Sequence, residues 1–528
     1  MLILWLDNAQ GITSNGVFKA VTIKGWMADP ANAPLDLSNY LYYPSMAVLC
    51  YLLDLIDVFP GDPRRQLPII NAFSAALCLC IVYLLVRRIT GYRSVAWAAV
   101  AFHLAGAFFL NLAIINEDIM PSYTLMFGSM ALACVWFVQP TAMRVALVAA
   151  LFTIAWMFEW RLMFPTLPAM LLALAVSPGR PLAKLARIAL FLATMTAVAQ
   201  VAVWLWGPQN RNAGPVFDLL WTGKGIASGW AGFSAVKFSL LWAGMTQYLA
   251  GGANIGDPSA LQALMRGTLA TTLCIFVIAA LSLIILWRDR RFPETRVLAA
   301  IFGVTFLAGE VMNLYSQPQD PQMQVNVMVW LTIGWALILT VATRWRPLLA
   351  PACAFVISMV LLAYNLSALT PLRGADAAWR LALERIERQV DLNRTIFLLH
   401  GFEQDVSEMY YKWDGDWDYF DKLGPAPTSK PKFKLLALVS GAVHKPQSTG
   451  DELAEDLRRQ IYRAMDLGYD IVANVVWLWS DAQFEGSLAT IADTGKARAL
   501  RRMLHENFVA TPVLTDPVAG PYFQLRRR

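Results

Sequence analysis

Between residues 67 and 366 the chain repeats one pattern: windows of about 20 largely apolar residues, each long enough to cross a bilayer, separated by short polar breaks. A soluble core cannot absorb so many such windows in succession, because a soluble helix buries only one apolar stripe. Of the 528 residues 57% are hydrophobic and 15% charged, against roughly 25% charged in soluble domains. The bilayer is therefore the main solvent, and the expected fold class is an α-helical polytopic membrane protein.

The arginines orient the spans. Ten are predicted, at 67–87, 94–113, 121–138, 143–159, 162–178, 186–206, 266–287, 295–314, 323–344 and 347–366. Alternate breaks carry Arg87, Arg88 and Arg93, then Arg144, then Arg180, Lys184 and Arg187, then Arg288, Arg290, Arg291 and Arg296, then Arg344 and Arg346. The positive-inside bias makes these cytoplasmic. The opposite breaks face outward: Asn116-Glu117-Asp118, Glu159-Trp160-Arg161, the long segment 207–265 and the loop 316–321. An even number of crossings starts and ends on one side, so residues 1–66 and 367–528 are external as well. The expected location is a bacterial-type inner membrane, with 67–366 as the membrane body and a periplasmic C-terminal domain.

Several classes drop out. The net charge of +6 sits at loop ends, which gives no case for a nucleic-acid partner. All six cysteines lie in apolar segments, so neither a disulfide framework nor a zinc motif follows. Met1 to Leu6 is an apolar stub that meets Asp7 at once and reads as the last turn of a helix, so a first span is expected to be shortened or missing. The stretch 41–59 is apolar too, but Pro44 opens it and Asp54 and Asp57 share a face near its end. It is predicted as an interfacial helix on the outer leaflet, its acidic face toward water or a site.

Composition changes sharply at Pro371. A helix follows with the stripe Trp379, Leu383, Ile386 and Val390, and short apolar runs at 395–399, 435–439 and 471–477 read as buried strands. The capping box Thr449-x-x-Glu452 opens the next helix and Gly468 closes it. A helix at 496–507, a strand at 509–514, a Thr515-Asp516-Pro517 turn and a strand at 522–525 complete a small α/β domain. It has no GxGxxG, P-loop or GxSxG, so its expected duty is structural or acceptor docking. Asp414-Gly415-Asp416-Trp417-Asp418 alternates carboxylates but lacks the later glycine and glutamate of a calcium loop.

Acids gather on one membrane surface: Asp7, Glu117, Asp118 and Asp320. One carboxylate can deprotonate an acceptor hydroxyl or amine while cations hold the leaving phosphate of a lipid-borne donor. Arg64, Arg65, Arg161, Arg211, Lys224 and Lys237 are the external cations, and Tyr42, Tyr43, Trp221 and Trp230 are external aromatics able to stack on a sugar. The plainer reading of Glu117 and Asp118 is that they cap a helix beginning at Pro121. A transporter or lipid flippase, the rival class, needs charge near the midplane, often with repeated halves. Here the halves do not repeat, Glu310 lies one turn from the outer end of its span, and His103 reads as a packed, hydrogen-bonded residue.

Taken together this pattern resembles the glycosyltransferase-C superfamily, which includes protein O-mannosyltransferases, the lipid A aminoarabinose transferase and oligosaccharyltransferases. The resemblance rests on Trp5-Leu6-Asp7-Asn8 after the presumed first span, a long first loop with Asn39-Tyr40-Leu41-Tyr42-Tyr43-Pro44, and a second acidic motif, Asn116-Glu117-Asp118-Ile119-Met120-Pro121. The many-helix body and external α/β domain complete it. It implies transfer of a hexosyl or pentosyl group from a polyprenyl-phosphate donor at the outer face to a glycan, lipid or protein acceptor. Asp7 would be the general base, with Glu117 and Asp118 at the motif that contacts metal or acceptor, so a divalent metal is the one cofactor implied. Gln317, Asp320 and Gln322 lie in a loop that resembles a polar, proline-bearing external loop of such enzymes. The first loop lacks a clean Asp-x-Asp, which leaves a catalytically silent scaffold of the same fold as an alternative.

Overall fold

The computed structural model describes residues 14–30, 40–115, 118–160, 163–206, 235–251, 269–315, 324–369, 375–399, 417–419, 424–427, 433–438, 448–481, 483–484 and 494–528. Two helices precede the membrane body, α1 (Ser14–Ala28) and α2 (Tyr42–Leu55). The body comprises α3 (Pro63–Thr90), α4 (Arg93–Ala105), α5 (Ala107–Leu112), α6 (Ile119–Trp136), α7 (Ala142–Phe158), α8 (Met163–Val176), α9 (Pro181–Trp206), α10 (Ala235–Leu249), α11 (Leu269–Arg288), α12 (Pro293–Leu298), a π-helical turn (Ala299–Gly303), α13 (Val304–Tyr315), α14 (Val325–Trp345) and α15 (Leu349–Leu369).

Every predicted span coincides with helix, and the arginine-bearing breaks fall on helix boundaries. Arg87 and Arg88 close α3, where Gly91 takes φ +78° and supplies the left-handed residue that ends the helix; Arg93 opens α4. Local chemistry sets the other end of α3 as well, since the Asp62 side chain accepts from the Arg64 N–H and Pro63 occupies the first turn. Among the described residues seven helices are long and apolar enough to cross a membrane, the composite running from α12 into α13 included. The chain is an integral, multi-pass membrane protein.

Three predicted spans depart from that simple form. With 17 and 14 residues, α7 and α8 reach about 25 and 21 Å, short of the hydrocarbon thickness of about 30 Å. The span predicted at 94–113 is broken at Gly106, whose extended ψ of 122° separates α4 from α5. A Cβ on Gly106 would sit 3.1 Å from the Met328 sulfur, so the glycine lets α14 pack closely at the break.

The first-loop helices pack with the body. Ala20, Ile23 and Trp26 of α1 join Tyr42, Tyr43, Met46 and Cys50 of α2, Leu67 and Ile70 of α3 and Phe158 of α7 in one cluster. The other face of α2 exposes Val48, Leu52, Leu55 and Ile56. So apolar a face on a 14-residue helix, about 21 Å long, suits contact with lipid along the interface. One acid of this segment differs from expectation. Asp57 is exposed, but Asp54 accepts from Gln66 Nε2 at 2.5 Å and from the Gly61 N–H at 3.0 Å, closing the turn between α2 and α3 instead of facing a site.

The C-terminal unit is a six-stranded sheet ordered β2-β3-β1-β4-β6-β5, from β1 (Thr395–Leu399), β2 (Trp417–Tyr419), β3 (Phe433–Ala437), β4 (Asp470–Ala473), β5 (Phe508–Asp516) and β6 (Gly520–Arg527). The first four strands run parallel and β6 and β5 antiparallel. Helices cover both faces, which is why β1 is apolar throughout. Its Ile396 and Leu398 pack toward α17 (Gly450–Asp466) and α18 (Thr494–Asn507), while Phe397 and Leu399 join Ala382 and Ile386 of α16 (Ala375–Glu387). Thr449 and Glu452 form the predicted capping box, with bonds of 3.2 and 2.8 Å. The strand predicted at 471–477 stops at Ala473, because the Asn474 side chain accepts from the Val476 N–H and turns the chain into a 3-10 helix.

Candidate functional site

The second acidic motif lies where α5 hands over to α6. Asn71 of α3 donates to the Ile115 carbonyl at 2.5 Å, pinning the chain just before residue 116, and Ser122 donates to the Ala155 carbonyl at 2.9 Å, tying α6 to the end of α7. The helix begins at Ile119, two residues before Pro121, and Asp118 makes no side-chain cap to it. Its carboxylate turns away and meets Lys19 of α1 at 2.5 Å, with 3% and 1% of the Lys19 and Asp118 side chains exposed. This corrects the expectation that Asp118 caps its helix. A buried charge stays charged only when paired, and here the pair ties the first loop to the second acidic motif across 99 residues of sequence.

Two further bonds hold the first loop to the same end of the bundle. The Leu41 N–H donates to the Met157 carbonyl at 2.9 Å, and the Tyr40 hydroxyl donates to the Val203 carbonyl at 3.2 Å. Burial pushes the Tyr40 phenol up to about 12, so it remains a donor across the working range. Glu159, at the end of α7, is buried on this side as well.

The other candidate residues fall into two groups. Tyr42 and Tyr43, placed by the sequence in an external loop, form the first turn of α2 and are buried, stacked edge-on at 5.5 Å with Phe158 6.2 Å from Tyr42. Their rings are occupied by packing. Arg64 forks onto Asp62 at 3.0 and 3.2 Å, and Arg65, more exposed, sits 3.9 Å from the same carboxylate and over the Phe59 ring. Asp7, Glu117, Arg161, Arg211, Lys224, Trp221, Trp230, Gln317, Asp320 and Gln322 lie outside the described residues.

Lys19 was missed by sequence reasoning, although a signal existed. It lies on the buried face of α1 with Ala20, Ile23 and Trp26, where an unpaired ammonium would be costly, so its position asks for an acid. No such local signal named the partner. Deeper in the body His103 is packed and hydrogen-bonded as expected, its Nδ1 2.9 Å from Thr332 Oγ1 and its Nε2 3.3 Å from the Tyr123 hydroxyl.

Among the described residues no three His, Cys, Asp or Glu side chains converge as a metal site, and Asp118 is engaged by Lys19.

No protein-family model and no curated protein matches the sequence. Solved structures do match the fold. ArnT from Cupriavidus metallidurans aligns over 99% of this chain and 96% of its own, with TM-scores of 0.52 bound to undecaprenyl phosphate and 0.54 in the apo state, at 11% and 12% identity. The Archaeoglobus fulgidus oligosaccharyltransferase, solved with zinc and sulfate, aligns over 96% of this chain and 69% of its own at TM-score 0.50 and 13% identity. At such identities the likeness is one of fold.

Proposed function

From the glycosyltransferase-C fold of this chain, we propose that it is a membrane glycosyltransferase that moves a sugar from a polyprenyl-phosphate donor to an acceptor at the external face of the membrane. The observation that carries this reading is the end-to-end likeness to a protein solved with undecaprenyl phosphate bound. The tie between α1 and Asp118 supports it, because it fastens the first loop to the second acidic motif.

In this reading Asp7 or Glu117 accepts the proton of an acceptor hydroxyl or amine. The new bond forms at the sugar's anomeric carbon as its bond to the phosphate oxygen breaks, and the polyprenyl phosphate departs with the electron pair. Arg161, Arg211, Arg64 and Arg65 meet the phosphate charge, and Gln317, Asp320 and Gln322 contribute to binding. Asp118 is a positioning residue, since Lys19 already holds its carboxylate. The transferred group is a hexose or pentose, the acceptor is a glycan, lipid or protein, and the C-terminal α/β unit stands on the same external side.

The test is transfer of radiolabelled sugar from a panel of polyprenyl-phosphate sugars into membranes, at matched expression. Asp7→Asn and Glu117→Gln should each lower incorporation by 100-fold or more, in keeping with the roughly 10²–10⁴-fold worth of general acid–base catalysis. Absence of incorporation from every donor would reject the reading.

A further inference from the structure

The membrane body holds a buried acid that this reaction does not use. Glu310 lies on α13, five residues and so about 7 Å before the helix end at Tyr315. It is 9% exposed, and among the described residues neither carboxylate oxygen meets a hydrogen-bond partner. The Asn313 side chain, one turn on, is its polar neighbour. A carboxyl kept in a span with no cation beside it among the described residues is costly and marks a functional position.

The fold turns this residue inward by a specific device. The π-helical turn Ala299–Gly303 is wider than an α-turn and advances the helix face by about one residue. On the face so set, Thr305, Gly309, Glu310 and Asn313 are buried, while Leu307 and Val311 are exposed on the apolar side. Asn326 of α14 approaches so closely that a Cβ on Gly309 would lie 2.7 Å from its Nδ2. Packed along α13 is α8, whose first turn carries Thr166, a buried hydroxyl likewise without a partner among the described residues.

We infer that Glu310, with Asn313, Asn326 and Thr166, forms a hydrogen-bonding subsite for a hydroxyl or amine group on the sugar of the lipid-linked donor. The inference rests on the glycosyltransferase reading and adds the part of the donor that is recognised. A donor of that class has three parts. Its prenyl chain offers no hydrogen-bond donors and its phosphate is repelled by a carboxylate, which leaves the sugar, whose hydroxyl or amine groups can donate to the carboxylate. A buried site built to accept such a bond discriminates strongly against an analogue lacking the group.

The experiment measures equilibrium binding to the full-length protein in nanodiscs. The probes are undecaprenyl phosphate, a panel of undecaprenyl-phosphate hexoses and pentoses, and deoxy analogues of the tightest binder. Glu310→Leu should weaken the tightest sugar lipid at least tenfold and leave undecaprenyl phosphate within twofold, with Glu310→Gln intermediate. One deoxy analogue should bind wild type as weakly as its parent binds Glu310→Leu and lose nothing further in the variant. Equal losses for bare and sugar-bearing lipid, or no loss for either, would overturn the subsite while leaving the donor class standing. Wild type binding neither lipid would reject the glycosyltransferase reading itself, and the subsite with it.

Discussion

At the scale of single residues, the pair between Lys19 and Asp118 has the largest predicted effect. Removing one partner from a buried ion pair leaves the other charge uncompensated, at a cost of about 3–5 kcal/mol. Lys19→Met and Asp118→Asn should each lower the melting temperature in detergent, and the double variant should lose much less than the sum; additive losses would show that the two side chains are not coupled. A second acid acts in the α/β unit. Arg385 forks onto Asp516 at 2.7 and 3.0 Å, and the N–H groups of Val518 and Ala519 donate to the same carboxylate at 2.8 and 3.0 Å. Burial works against the charge, but the Arg385 and backbone bonds outweigh it and hold the carboxyl below its ordinary value of 3.8. Its contribution to stability is therefore complete above that value and is lost as the pH falls through the lower folded one. Hydrogen-exchange protection at Val518 and Ala519 should follow that course in the full-length protein, and Asp516→Asn should remove the dependence.

Between elements, a single side chain manages two helix ends at once. The break between α4 and α5 leaves the Ala105 carbonyl without its helical partner, and Asn365 of α15 donates to it at 2.6 Å. The same amide donates to the Leu249 carbonyl at the end of α10, at 2.9 Å, while the Gly251 N–H donates back to Asn365 Oδ1 at 3.0 Å. In a membrane body, freed backbone groups need protein partners, because water is scarce. Asn365→Leu should cost roughly 1–3 kcal/mol for each backbone group it orphans, read as a lowered unfolding temperature. It should also speed amide exchange at Gly251, whereas an unchanged rate there would mean that α10 is held by other contacts.

The whole molecule poses a question of sidedness. The proposed orientation puts the arginine-rich breaks inside and the first loop, the acidic motifs and the α/β unit outside, and so predicts opposite labelling of the two sets. In a cysteine-free background, Cys at Gly424 should react with a membrane-impermeant thiol reagent added outside. Cys at Arg93 or Arg290 should react only after the membrane is opened. Reaction of all three from outside would overturn the topology.

The span pattern and most of the α/β elements are written locally in the chain, because apolar length, charge at helix ends and capping boxes act within a few residues. Thr449 and Glu452 are three positions apart and were legible for that reason. The candidate site was legible only as a list of acids on one surface. That Asp118 belongs to Lys19, that Tyr42 and Tyr43 pack inward, that a span breaks at Gly106 under Met328, and that a π turn brings Glu310 inside are all decided by partners distant in sequence. Buried charges and orphaned carbonyls must be satisfied by whatever the fold brings to them, and only the tertiary structure makes that choice.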